Sequence, residues 1–158
     1  MGAAGAVCRM IIRRATESDI DALIAFNQGI AMETEGVALD GETLRKGLHG
    51  ILSLDRYGFY TVAEKDGQVV GSLMITYEWS DWRNGVIWWI QSVYVRAENR
   101  RQGVYTALYE NARKLARESG DVAAIRLYVE KDNDVAQQTY SKLGMKETYY
   151  RIFETESV

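Results

Sequence analysis

The sequence predicts an α+β protein: a mixed, mostly antiparallel sheet with helices covering its faces. Helical periodicity comes in separate blocks at residues 20–26, 44–52 and 104–119. Runs rich in branched and aromatic residues stand at 59–64, 69–78 and 86–95. The resulting order is strand, two helices, three strands, helix, strand, helix, strand, which is the order of a mixed sheet and not of a bundle or a sandwich.

Each element has its own signal. Residues 10–14, Met-Ile-Ile-Arg-Arg, read as the first strand. Thr16-Glu17-Ser18-Asp19 has the form of a capping box and opens a helix carrying Ile20, Leu23, Ile24 and Phe26. The pattern breaks over residues 31–40, with Gly36 and Gly41 nearby, and a second helix follows with Leu44, Leu48, Ile51 and Leu52. Asp66-Gly67 between two apolar runs predicts a hairpin. Residues 79–85 form a polar, Trp-containing turn, and 86–95 return as the third strand of a meander. An Arg-rich loop at 97–103 leads into a helix over 104–119 with a stripe of Val104, Ala107, Leu108, Ala112 and Leu115. Residues 124–130 predict a strand, 133–143 a short helix with Gly144 just past its end, and 147–153 a last strand.

The bulk properties fit one soluble domain. The chain has 158 residues, 47% apolar and 26% charged, and a net charge of -3. That balance argues against nucleic acid as a partner, since no basic excess or stripe is present. No apolar run approaches the ~20 residues that span a bilayer, so no membrane partner is expected. The opening residues lack the basic start and apolar segment of a signal peptide. Residues 1–9 read as a flexible arm and 10–158 as a single domain, with Met10 as an alternative start. Cys8 is the only cysteine, so no internal disulfide forms and a reducing cytoplasm is the expected location. With His49 the only histidine, a zinc site of His and Cys and a His-based triad are both disfavoured, and no metal is expected.

One loop carries chemistry. Arg100-Arg101-Gln102-Gly103-Val104-Tyr105-Thr106 stands between a strand and a helix. The first turn of a helix has unpaired N–H groups and the positive end of the dipole, so a diphosphate can dock there without a metal. Gly103 permits close approach, and Arg100 and Arg101 add charge. The loop is neither a Walker loop nor a dinucleotide fingerprint, because Gly-Lys-Ser/Thr and G-x-G-x-x-G are both absent.

Three segments together resemble the GNAT superfamily of acyl-CoA-dependent N-acyltransferases. Residues 92–104 are similar to its fourth strand and acyl-CoA loop, [Q/R]-x-x-G-x-[G/A]. Residues 127–133, ending in Asn133, are similar to its fifth strand. Residues 136–145 are similar to its helix that ends in Tyr, three residues, Gly and an aromatic. Tyr105 stands where the loop usually has a second Gly or Ala, Met145 where an aromatic is usual, and Ala97 where Pro is frequent. The resemblance spans residues 10–155 and implies acetyl-CoA as cosubstrate. It implies that the backbone around Val93, Tyr94 and Val95 pairs with the pantetheine arm and that Arg100, Arg101, Gln102, Gly103, Val104, Tyr105 and Thr106 hold the pyrophosphate. It further implies that Asn133 bonds the pantetheine and that Tyr140 protonates the departing thiolate. The chemistry agrees, since a hydroxyl of pKa ~10 can donate to a thiolate whose thiol has pKa ~8.5.

The acceptor side is left open. An ammonium must lose a proton before it attacks a thioester, and a carboxylate can take it directly or through water. Candidate bases are Glu33, Glu35 and Glu78, with Asp81 or a bound water as further options. Trp79, Asp81, Trp82, Arg83, Trp89 and Gln91 complete the candidate acceptor residues, because aromatic rings beside carboxylates suit a cationic amine. Arg83 alternatively meets an acceptor carboxylate, and Gln91 can position a water. Glu33 and Glu35 read equally as solvated loop residues, and Trp79 and Trp82 as packing or dimer contacts. Two functions follow. One is an N-acetyltransferase acting by direct attack in a ternary complex on a small-molecule primary amine, with a protein amine as the other acceptor. The alternative is a non-catalytic acyl-CoA sensor or interaction module. A nucleotide-phosphate enzyme fits less well, because Asp132 and Asp134 read more simply as a helix-capping turn. A homodimer through Tyr149, Tyr150 and Phe153 is a further expectation.

Overall fold

The computed structural model of the chain describes residues 9–156. Cys8 and all of the expected arm but Arg9 lie outside the described residues. The described residues form two compact units, one ending at Leu127 and one starting at Tyr128.

The first unit is a sheet in the order β1-β2-β3-β4-β5. Its strands are β1 (Met10–Arg14), β2 (Gly58–Lys65), β3 (Gln68–Ser80), β4 (Gly85–Val95) and β5 (Val122–Arg126). The first four run antiparallel, and β5 joins β4 in parallel. Asp66 and Gly67 both take positive φ, 52° and 76°, as a two-residue hairpin turn requires.

Helices α1 (Ile20–Glu35) and α2 (Gly41–Ser53) cover one face. Leu23, Leu48 and Ile51 pack there with Tyr60 and Val62 of β2. Helix α3 (Val104–Ser119) covers the other, where Gly71 of β3 lies against Val104. Alternation along the strands puts Leu73, Ile75, Trp88 and Ile90 on that side, all buried. Thr16 and Asp19 form the expected capping box.

The pattern departs from expectation in four places. Residues 32–35 are not a loop but the last turn of α1, because the helix runs on until Gly36 ends it in the left-handed region. The strand expected at 124–130 lies at Val122–Arg126. In α3, Tyr109 and Ala116 are buried while Ala107 and Leu115 are only half-buried, so the covered stripe is rotated from the expected one. Residues 147–153 form no strand. Their apolar side chains are exposed, Phe153 at 92%, and a strand without a ladder partner has nothing to satisfy its backbone.

The second unit is built on α4 (Asp134–Lys142). Asn133 caps it by accepting from the N–H of Ala136 at 3.1 Å, and Gly144 leaves it at φ 85°. The helix and its ends thus match the sequence reading.

Candidate active site

The loop before α3 has the local features of an anion site. Arg101 (φ 60°) and Gly103 (φ 79°) both take left-handed φ on either side of Gln102, and chain curls of that kind are where anion-binding concavities of N–H groups form. Gly103 is the N-cap of α3 and no side chain caps the helix, so its first-turn amides keep their capacity to donate. No heavy atom lies within 4 Å of where a Cβ at Gly103 would stand, so the approach is open. No acidic residue occupies the first turn. Tyr105 stacks on Tyr109, one turn further along α3, with ring centroids 6.2 Å apart. Lys65, at the β2–β3 hairpin, reaches Gln102 with Nζ 3.0 Å from Oε1.

Beside the loop, β4 parts from β5. Pairing with β5 runs from Val86 to Trp89, and residues 90–95 continue without a β5 partner. A bulge falls here, where Ser72 faces Tyr94 and Met74 faces Gln91, and Ser92 takes φ 48°. Arg96 N–H bonds Val70 O across to β3, so alternation turns the backbone of Val95, and before it Val93, toward the open edge. That edge, and the uncapped helix start next to it in sequence, fit an extended amide-bearing arm ending in a diphosphate.

Arg100 does not face α3. Its Nη2 donates to both carboxylate oxygens of Glu33 at 2.9 and 2.8 Å. Its Nε donates to Val95 O at 2.9 Å, and it lies over the Tyr94 ring at 5.6 Å. The hydrogen bond to Glu33 raises the guanidinium pKa further. Tyr94 in turn stacks on Phe26 at 5.0 Å and donates to Glu33 at 3.4 Å. Glu35, by contrast, is an exposed residue at the end of α1.

On the α1–α2 side of the sheet, a polar row crosses three strands. Thr76 pairs with Trp89, and Trp89 with Arg126, so the three share a face. Trp89 Nε1 donates to Glu78 Oε2, and Arg126 lies 3.6 Å from Glu78 Oε1. Arg126 also sits 5.9 Å from the Trp89 ring centroid. Gln91 Nε2 donates to Thr76 Oγ1 at 2.6 Å. Glu78, Trp89 and Gln91 are therefore brought together as a carboxylate, an indole and an amide. Trp79 falls on the opposite face at 62% exposure. Trp82, at 93% exposure, sits with Asp81 and Arg83 in the β3–β4 turn, where Asp81 bonds the Trp82 N–H.

In the second unit, Asn133 uses Oδ1 as the α4 cap. Tyr140 lies within α4, and burial pushes its hydroxyl above the ordinary 10. It therefore stays protonated through the neutral range, as a proton donor must.

Lys65, Thr76 and Arg126 are the residues that the sequence reading missed. Lys65 is 37 positions from Gln102, and no local pattern links them. Thr76 and Arg126 had only strand alternation as a signal, and the register that joins them to Glu78 and Trp89 is tertiary. Among the described residues, no cluster of three or more His, Cys, Asp or Glu could hold a metal. Nor is any described helix long and apolar enough to cross a membrane.

Comparison with known proteins identifies the fold and the family. A sequence model described as the acetyltransferase (GNAT) family matches residues 30–145. A crystal structure of a possible acetyltransferase from Clostridium difficile 630 is 42% identical, covers 94% of this chain and 98% of its own, and superposes with a TM-score of 0.88. An N-alpha-acetyltransferase from Sulfurisphaera tokodaii is 29% identical over 86% of this chain and 80% of its own. An aminoglycoside N-acetyltransferase in complex with CoA shares the fold at 16% identity, with a TM-score of 0.79 over 99% of this chain and 100% of its own. The chain belongs to the acetyltransferase (GNAT) family, and acetyl-CoA is its cosubstrate.

Proposed function

We propose that the protein is an N-acetyltransferase that moves the acetyl group of acetyl-CoA onto the primary amine of a small molecule, by direct attack in a ternary complex. The observation that carries this reading is the polar row of Thr76, Glu78, Trp89, Gln91 and Arg126, which crosses β4, the strand that also forms the open edge. Acetyl-CoA supplies an activated thioester. In this reading the backbone of Val93 and Val95 pairs with its arm, which the β4 edge beyond Trp89 supports, and Asn133 is the residue the family resemblance assigns to the pantetheine. In this reading the amides from Arg101 to Thr106 take its diphosphate, supported by the absence of a side-chain cap on α3, with Lys65 near Gln102 as an added cation. Glu78 is the best-supported base, because it is the one of the three candidates that lies on the sheet face beside Trp89. Trp89 and Gln91 supply an aromatic wall and an amide for the incoming amine or its water. Tyr140 serves as the acid.

The test is thiol release from acetyl-CoA across a panel of small amines and amino acids. A hit that Glu78→Gln slows about a hundredfold supports the assignment. Release from no amine by a chain that binds acetyl-CoA leaves the sensor reading instead. A second acceptor, a protein N-terminus, is favoured by the N-alpha-acetyltransferase relative. Peptides with open N-termini in the same panel separate the two. A cytoplasmic location and a homodimer through residues 149–153 belong to the same reading, the first resting on the lone cysteine and the second on the exposed Tyr149, Tyr150, Ile152 and Phe153. Sedimentation of wild type against Phe153→Ser tests the dimer, and a monomeric wild type refutes it.

A further inference from the structure

We infer that Glu33 and Arg100 act as a positioning pair that ties the open end of β4 to α1, and that neither serves as the base or as a diphosphate ligand. The inference rests on the acetyl-CoA reading and concerns how this chain's own residues prepare the site.

The geometry separates Arg100 from the helix that receives the diphosphate. Tyr94 and Val95 send their side chains to opposite faces of β4. Val95 points to the α3 side, where its Cγ2 and Val104 Cγ1 both lie near Gly71. Tyr94 points to the α1 side, stacked on Phe26 and pressed so closely on Gly29 that a Cβ there would meet the ring at 2.9 Å. Arg100 lies over Tyr94, hence on the α1 side, while the uncapped amides of Val104 to Thr106 belong to α3. Two of its three nitrogens are engaged on that side: Nη2 donates to both oxygens of Glu33 and Nε to Val95 O.

Glu33 is committed in the same way. Both of its oxygens accept from Arg100, and one also receives the Tyr94 hydroxyl. Both Glu33 oxygens are held at 2.8–2.9 Å by a full cation, whereas Glu78 stands 3.6 Å from Arg126 and otherwise meets a neutral indole, so the base role is assigned to Glu78 and not to Glu33. What the pair does instead is mechanical. The Arg100 Nε bond to Val95 O fixes the peptide whose carbonyl faces the open edge, and Glu33 fixes Arg100. The edge thereby presents its backbone groups in one arrangement before the arm arrives, which lowers the ordering cost of binding.

The experiment is calorimetric titration of the full chain with acetyl-CoA and, separately, with ADP, which carries a diphosphate but no pantetheine. Glu33→Gln, Arg100→Gln and the double variant are compared, with a thermal melt of each without ligand to confirm folding. Each single variant is expected to weaken acetyl-CoA about three- to fivefold, the scale of one exposed ion pair. The double variant should be no weaker than either single, and ADP binding should stay within about twofold. Arg100→Lys should fail to restore binding, since Lys lacks the planar guanidinium and its Nε donor. Three results would overturn the inference. In the first, Arg100→Gln weakens ADP as much as acetyl-CoA while Glu33→Gln tightens both, which marks Arg100 as a diphosphate ligand. In the second, Glu33→Gln removes turnover and the acid limb of the pH–rate profile at unchanged acetyl-CoA affinity, which marks Glu33 as the base. In the third, no variant changes any affinity. A wild-type chain that binds neither ligand would refute the donor reading as well, and is distinguishable for that reason.

Discussion

Asp19 shows how one residue ties sequence to stability. Its side chain is 4% exposed and accepts from Arg13 at 2.8 and 2.9 Å and from the Thr16 N–H at 2.8 Å. Arg13 also reaches Glu64 of β2, so the start of α1 is pinned to the sheet edge. Chiefly through the hydrogen bond from Arg13, the carboxyl is held below its ordinary 3.8. A depressed carboxyl stabilises the fold above its unfolded pKa and loses that contribution as pH falls through the folded value. Asp19→Asn should therefore lower the melting temperature at pH 7 and flatten its decline below about pH 4. Asp19→Ala should cost about 2–3 kcal/mol in urea unfolding. Tyr140 carries the residue-scale prediction for chemistry. Tyr140→Phe should slow thiol release about a hundredfold while acetyl-CoA affinity is kept. Equal release by mutant and wild type would remove its role as the acid.

Elements act through their ends. The α3 start depends on Gly103 at φ 79°, where a side chain costs about 1 kcal/mol even though the space around it is open. Gly103→Val should therefore fold with a small loss in stability but bind acetyl-CoA at least tenfold more weakly, because its side chain stands in the open approach to the amides. Gly58 is the opposite case. It takes φ 140° at the start of β2, and a Cβ there would lie 1.8 Å from Ile75 O. No side-chain adjustment relieves a clash with backbone, so Gly58→Ala should destabilise the β2–β3 pair by about 3 kcal/mol, read by denaturant unfolding.

At the scale of the whole chain, ligand binding should appear as stability. Acetyl-CoA at a hundred times its dissociation constant adds ~2.7 kcal/mol, which for a chain of this size raises Tm by about 5–10 °C. NADH, which carries a diphosphate but no pantetheine arm, should raise Tm less than acetyl-CoA at equal concentration. An equal rise with NADH would show that the loop takes any diphosphate without reading the arm.

The sequence by itself determined most of the elements and the local chemistry at several of their ends. Thr16 to Asp19 and Asp66-Gly67 write a cap and a turn in consecutive residues, and local chemistry of that kind survives being read without the fold; the cap of α4 falls on Asn133, between the Asp132 and Asp134 that the sequence suggests. It also located the Gly103 helix start after a strand, because a Gly-marked junction of that kind is a local feature. Only the tertiary structure decided the partners. Glu33 and Arg100 stood in separate candidate sites until α1 and the end of β4 came together. Lys65 reached the loop through a hairpin, and Arg126 reached Glu78 through a parallel register that no window of sequence contains. Residues 147–153 have the composition of a strand but not its partner, and a strand exists only when another strand accepts its hydrogen bonds.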